Sequence, residues 1–528
     1  MRQCLLVLAL LPLLWAADAS ALDASAVAKL GADDSDEKIA GIRALVREGD
    51  PAAVGLLQAL SDESLQISGG RVLRADGERV YDAATGAEVV PPPPDRETIT
   101  VNNRMRRELA GAMATLRLLD PDRKVRLAAA RELHDADDPE LAPLLEGALA
   151  RETDAEVRSL LSLIHARANL RSPDPRARLA AVQLLGTSSN RAVVGLLEGR
   201  LDAAAEPDAG VREEARLSLR LVASRLVAAD VAGRVFSGLS LGSILLLAAL
   251  GLAITYGVMG VINMAHGELL MIGAYSTFVV QRVFERHFPQ AMEWYVVAAV
   301  PVGFAVAFGV GIAMEWTVIR FLYGRPLETL LATWGLSLFL VQCTRTVFGP
   351  QNVQVPNPSW MSAGIALAAD IVLPWNRIAI ILFTLGVLAV VWLLLNRTRL
   401  GMFVRAVTQN RAMAGCVGVP TGRVDALAFG LGAGIAGLGG VALSQIANVG
   451  PEMGQGYIVD SFLVVVLGGV GQLIGAVWAA LALGVASKFL EATWGAVIAK
   501  ILVLCFVVVV IQRRPQGLFA PKGRAVEG

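Results

Sequence analysis

The sequence predicts an all-α protein: a polytopic helical membrane domain preceded by an exported helical-repeat domain that carries a small β insertion. Three observations predict it. Apolar runs of bilayer length crowd the chain after Val235, and a helix needs roughly 20 such residues to cross a membrane. From Leu22 to Arg234 there are 35 Asp/Glu against 29 Lys/Arg, a composition suited to water, whereas Val235 onward has 11 against 17. The first 21 residues have the layout of a secretory leader. The net charge of zero is therefore a sum of about −6 and +6, and two units are expected from length alone.

Residues 1–21 read as a signal peptide. Arg2 precedes an apolar run from Leu5 to Trp15, and Ala17, Ala19 and Ala21 supply the small residues of a cleavage site. An uncleaved anchor is the alternative, although the run is short for a spanning helix. Cleavage would export residues 22–234.

That exported domain reads as helical and repetitive. DPDRKVRLAAARELHD (Asp120 to Asp135) and DPRARLAAVQLLG (Asp174 to Gly186) open on Asp-Pro 54 residues apart, and each continues with an Arg-Leu-Ala-Ala. DAEVRSLLSLI (Asp154 to Ile164) and DEKIAGIRALV (Asp36 to Val46) also begin with an Asp suited to capping a helix. Shorter helices follow, as at Pro139–Leu149 and Ala192–Leu201. Paired short helices of this kind resemble HEAT-type repeats, which stack to bury a shared core. The stretch 65–90 interrupts them: alternating apolar and polar residues around Gly-Gly, Asp-Gly and Thr-Gly predict two or three short strands, followed by the stiff run Pro91–Pro94. His134 and His165 stand alone on helices and read as surface or packing residues.

Residues 235–528 form the membrane domain. The expected spans are Phe236–Gly257, Met264–Gln281, Tyr295–Ile319, Leu330–Val347, Ile371–Leu395, Val424–Ala447 and Thr493–Ile511. Ile458–Leu490 is broken by a Gly-rich stretch, Gly468–Ala476, and counts as two, so nine segments enter the membrane, with eight as the alternative. Short loops rich in Arg face the cytoplasm. Arg397, Arg399, Arg405, Arg411 and Arg423 place the loop before Val424 inside, and counting back puts Arg234 outside, in agreement with the leader.

Two stretches carry chemistry. In Thr255–Tyr275, Asn263, His266 and Glu268 fall within six residues between apolar runs. A charged side chain in hydrocarbon costs roughly 2.5–3.5 kcal/mol on insertion scales. These side chains, with Tyr256 and Gly267, therefore line a polar substrate path inside a broken helix, or they form an ordinary turn at the membrane surface. The second stretch, Thr398–Pro420, is amphipathic, with Arg399, Arg405, Gln409 and Arg411 available to water and Met402, Val404, Val407 and Met413 to a partner. No phosphate-binding G-x-x-x-x-G-K-[ST] motif occurs, so any ATP is handled by another chain. No spacing suits a metal site, and no catalytic constellation or nucleic-acid-binding pattern is present.

INMAHGE with the following GAY, TRLG with RAVTQN and AGCVGV, LGGVG with GA, and the terminal RRPQGLF together resemble the permease subunits of branched-chain amino-acid-type ABC importers. The resemblance covers about 236–519, and the urea-importer branch, which has an exported helical extension, is the most similar. It implies a polytopic helical membrane permease of the bacterial inner membrane, paired with a second permease subunit, ATP-binding subunits and a periplasmic solute-binding protein. It also implies that Arg399, Gly401, Arg405, Gln409, Asn410 and Gly418 form the element that couples to the ATPase, with Gly401 and Gly418 allowing turns. Arg411, Met413 and Cys416 depart from the family's Ala-rich run after Asn410. Two other classes remain: a branched-chain amino-acid permease, and an ion-coupled transporter using Glu268, Glu315, Asp460 or Glu491.

Overall fold

A computed structural model of the chain describes residues 22–48, 52–77, 79–118, 120–133, 142–368 and 371–519. The expected signal peptide and His134 lie outside the described residues. Helix makes up 74% of the structure. The chain divides into two compact units, Met1–Leu226 and Val227–Gly528.

The first unit contains α1 (Ala24–Lys29), α2 (Ser35–Glu48), α3 (Ala52–Ser61), α4 (Asn103–Arg117), α5 (Arg123–Glu132), α6 (Ala142–Arg151), α7 (Ala155–Asn169), α8 (Pro175–Thr187) and α9 (Ala192–Glu198). Short polar caps start them. Asp122, Asp154 and Asp174 each accept a backbone N–H of the helix they precede, which satisfies donors that have no intrahelical partner. Each helix packs on near neighbours in the chain, and three successive apolar clusters form the core. The Arg of each Arg-Leu-Ala-Ala has a specific task. Arg126 holds Glu152 through Nε at 2.7 Å and also donates to the Asp120 and Pro121 carbonyls. Arg178 holds Glu206 at 2.8 Å and donates to the Ser172 and Pro173 carbonyls. Glu152 and Glu206 are 54 residues apart, so the sequence spacing recurs as a repeated buried ion pair.

Four strands interrupt these helices: β1 (Leu65–Ser68), β2 (Arg71–Asp76), β3 (Arg79–Asp82) and β4 (Glu97–Thr98), antiparallel in the order β3-β2-β1-β4. Gly69 and Gly70 both have positive φ and make the tight turn between β1 and β2. The sheet reaches beyond the expected limit at Val90, because the chain returns after the proline run to pair β4 with β1.

The second unit is built on α10 (Ala209–Met259), a 51-residue helix that begins in the first unit's residues, and on α11 (His266–His287), α12 (Tyr295–Thr317) and α13 (Pro326–Phe348). After these come α14 (Ser359–Ser362), α15 (Trp375–Arg397), α16 (Arg399–Gln409), α17 (Arg411–Cys416), α18 (Thr421–Ser444), α19 (Met453–Gly468) and α20 (Leu473–Arg513). Six described helical segments are long and apolar enough to cross a membrane: α10, α12 with its flanking turns, α13, α15, α18 and α20. The helices α11 and α19 are not among the six. Gly495, at φ 80°, breaks α20 in two. The Gly-rich break appears as a turn between α19 and α20, with Gly469 and Gly471 at positive φ. A hairpin, β5 (Gly364–Ala368) with β6 (Ile371–Pro374), occupies the start of the span expected from Ile371. Pro374 has no N–H to donate and disfavours helix at the residue before it, so α15 starts at Trp375.

Helix α18 is the centre of this unit. Twenty of its 24 residues are buried, and it packs on α11, α12 and α16. Glycines make this approach feasible. A Cβ on Gly432 would lie 2.6 Å from the Gly251 carbonyl oxygen of α10, and one on Gly437 would lie 2.8 Å from that of Gly303 on α12. Small residues let helix backbones meet where lipid supplies no hydrophobic drive for association.

Candidate functional site

The break between α10 and α11 begins at Gly260, whose φ of 67° ends the helix. Asn263 then turns the chain, its side-chain oxygen accepting from the Ala265 N–H at 3.0 Å. His266 opens α11, and its Nε2 donates to the Ala248 carbonyl at 2.9 Å. A carbonyl only accepts, so the ring carries its proton on Nε2 and offers Nδ1 as an acceptor. Glu268 accepts from the Ser337 hydroxyl at 2.7 Å, and the Met264 N–H donates to Thr333 at 3.1 Å.

Protein encloses this cluster. Asn263 and Glu268 are 1% exposed and His266 0%, so these side chains do not sit on an open surface. Three of their polar atoms have no partner among the described residues: Asn263 Nδ2, His266 Nδ1 and Glu268 Oε2. Buried polar atoms without partners are uncommon in proteins and call for an explanation. Together they are an amide nitrogen, an imidazole nitrogen and a carboxyl oxygen. Gly267 lets α19 approach: a Cβ there would lie 2.5 Å from the Gly454 carbonyl oxygen. Tyr256 is half-buried on the adjoining core.

Helix α13 supplies the residues that sequence reasoning missed. Thr329, Thr333, Ser337 and Val341 are its buried positions, four residues apart, on a helix whose other faces expose Leu331, Trp334, Leu338 and Phe339. Hydroxyls at i, i+4 and i+8 in an apolar run mark a polar stripe facing protein, and that signal was present in the sequence.

The second stretch folds as α16 and α17. Arg399 and Gln409 are exposed, and Asn410 caps α17 by accepting from the Met413 N–H at 2.9 Å. Three expectations need correction. Val404 and Val407 pack into the chain's own core and do not face outward, while Met402 and Met413 remain exposed. Arg405 stays exposed, as expected, and also donates to the Leu395 carbonyl at 2.5 Å, where a cation suits the carbonyl end of α15. Gly401 is buried within α16, where a side chain would overlap the Leu395 carbonyl; Gly418, at φ 88°, does make a turn. Arg411 is held by Asp425 rather than left to water. Two of the candidate acids of an ion-coupled path, Asp460 and Glu491, line one cavity, where Asp460 pairs with Lys500 at 3.5 Å and Glu491 with Lys488 at 2.6 Å.

Apolar helices around an occluded polar break define a multi-pass membrane protein with an interior polar site. The chain belongs to the branched-chain amino acid transport system permease component family, whose model matches residues 234–511. Its relatives are transport permeases rather than enzymes. The high-affinity branched-chain amino acid transport system permease protein LivH of Salmonella typhimurium (strain LT2) is 30% identical over 294 residues, 54% of this chain and 94% of that protein. BraD of Pseudomonas aeruginosa, with the same description, is 29% identical over 286 residues, covering 53% and 93%. The ribose import permease protein RbsC of Escherichia coli (strain K12) is 27% identical over 137 residues, covering 25% and 36%. No solved structure matches the chain.

Proposed function

We propose that this chain is the transmembrane permease subunit of an ATP-driven importer of the bacterial inner membrane, and that its solute is urea. Within this reading it pairs with a second permease subunit, receives solute from a periplasmic solute-binding protein, and takes its drive from ATP-binding subunits that dock on α16 and α17 from the cytoplasm. Residues 22–234 would stand in the periplasm as a HEAT-like array after removal of the leader. Asn263, His266 and Glu268, with Tyr256 and Gly267 beside them, would line the path.

One observation carries the solute. The enclosed cluster leaves an amide nitrogen, an imidazole nitrogen and a carboxyl oxygen without partners among the described residues, a set that can replace the water around a small neutral amide. The motif resemblance to the urea branch, with its exported extension, points the same way. A second reading rests on the printed function of LivH and BraD, branched-chain amino acid transport. Uptake of labelled urea and labelled leucine into vesicles containing the whole complex decides between them. The proposal requires urea uptake that needs ATP and the binding protein and ignores ionophores. Leucine uptake without urea uptake establishes the second reading; ionophore-sensitive uptake removes both.

A further inference from the structure

Arg411 begins α17, and its guanidinium reaches down to Asp425 in the first turns of α18. Nη1 donates to Oδ1 at 3.2 Å, and Nη2 donates to Oδ2. The Arg411 side chain is 40% exposed and that of Asp425 0%, so one end of the pair lies at the loop surface and the other inside the helix packing. The guanidinium also lies over the Tyr323 ring, 4.5 Å from its centroid. Tyr323 in turn donates its hydroxyl to Glu315, a buried residue of α12, at 3.1 Å. A single side chain thus ties the loop, the central helix and the end of α12.

A buried carboxylate that loses the cation paired with it is left with an uncompensated charge, which is strongly unfavourable. The forked guanidinium holds both oxygens and stacks on an aromatic face, which fixes orientation as well as distance. A displacement of α17 that strained this pair would therefore draw the start of α18 with it. Helix α18 touches α11 and α12 through glycine contacts that leave little slack.

Building on the importer reading, we propose that Arg411 is a positioning residue that transmits movement of the exposed α16–α17 element to the central helix α18 by gripping Asp425, with Tyr323 relaying the same movement to Glu315 on α12. The role belongs to energy coupling; it requires no contact between Arg411 and solute or nucleotide.

The test uses the whole complex in proteoliposomes and reads solute taken up per ATP hydrolysed. A purely structural role changes the amount of folded complex and leaves this ratio alone. Arg411→Lys keeps the charge but loses the fork and the stacking. Coupling free energies of about 1–3 kcal/mol correspond to roughly 5- to 150-fold effects, and Arg411→Lys is expected at the low end, with uptake per ATP down about fivefold while complex assembly and solute-independent ATP hydrolysis persist. Asp425→Asn is expected to show the same loss. If Asp425→Asn does not assemble, Arg411→Lys decides alone. A wild-type ratio in Arg411→Lys overturns the inference while leaving the importer reading intact. A wild-type complex with no ATP-dependent uptake overturns both.

Discussion

The Ser337 hydroxyl donates to Glu268 across a sequence separation of 69 residues, joining α13 to the break between α10 and α11. The other oxygen of that carboxyl has no partner among the described residues, so Glu268 is oriented by one neighbour and open to a second. If that oxygen accepts from the solute, Glu268→Gln presents the wrong group. Losing a hydrogen bond to a charged group costs about 1.5–3 kcal/mol, so uptake is expected to fall at least about tenfold at unchanged membrane abundance. Ser337→Ala, which removes the orienting donor, is expected to reduce uptake less. Unchanged uptake in Glu268→Gln would exclude the carboxyl from the path.

The glycine seams predict a sharp contrast between two alanine substitutions. A methyl group at Gly437 would meet the Ala307 Cβ at 2.5 Å and the Gly303 carbonyl oxygen at 2.8 Å, whereas one at Gly386 meets nothing within 4 Å. Overpacking costs about 1–3 kcal/mol. Gly437→Ala should therefore lower the apparent Tm of the detergent-purified chain, and Gly386→Ala should not. Equal effects would refute α18 as the tightly packed centre.

Acid should loosen the first unit through its paired carboxylates. Hydrogen bonds from Arg126 hold the Glu152 carboxyl below the usual carboxylate range, and those from Arg178 do the same for Glu206, in each case against burial, which pushes upward. A carboxyl depressed in the fold adds stability that is complete above the unfolded value of about 4.3 and is lost as pH falls through the lower folded value. Hydrogen exchange in α5–α8 should consequently rise on acidification below about pH 4. Arg178→Gln leaves Glu206 buried without its cation, a loss of about 3–5 kcal/mol, and should accelerate exchange around α8 already at neutral pH. Identical exchange in variant and wild type at neutral pH would show that the pair is not supporting the array.

Sidedness can be read with a membrane-impermeant thiol reagent. Cys343, Cys416 and Cys505 are exposed, so the background needs all of them replaced. In that background a cysteine at Thr85 should label in intact cells, and one at Gln409 only after permeabilisation. Labelling of Gln409→Cys from outside would overturn the assignment of α16 and α17 to the ATPase side.

Much of this molecule was legible from local pattern. Apolar runs marked where α12, α13, α15 and α18 lie to within a few residues, because hydrophobic length is a property of consecutive residues, whereas α10 begins 27 residues before the expected Phe236 and α20 joins stretches expected to be separate. The caps at Asp154 and Asp174 and the Gly-Gly turn were equally local, although Asp36 lies inside α2 and Asp122 rather than Asp120 caps α5, and the polar interruption at Asn263, His266 and Glu268 stood out against its neighbours. Boundaries slipped where a distant partner decided them: β4 extends the sheet by pairing with β1, and the strand β6 replaces the first turn expected of α15.

What tertiary structure alone decided is which polar groups meet. Nothing near Glu268 in the chain names Ser337, and nothing near Arg411 names Tyr323; a hydrogen bond depends on separation in space, which a linear pattern does not encode. The amphipathic reading of α16 likewise could not say whether Val404 and Val407 turn toward a partner or toward the chain itself. The sequence by itself determined where apolar runs lie and where polarity interrupts them, but not how many helices cross: nine segments were expected, and six described helices are long and apolar enough. Packing around the glycines of α18 determined which of those polar side chains are enclosed together, because close backbone approach sets which helix faces come into contact.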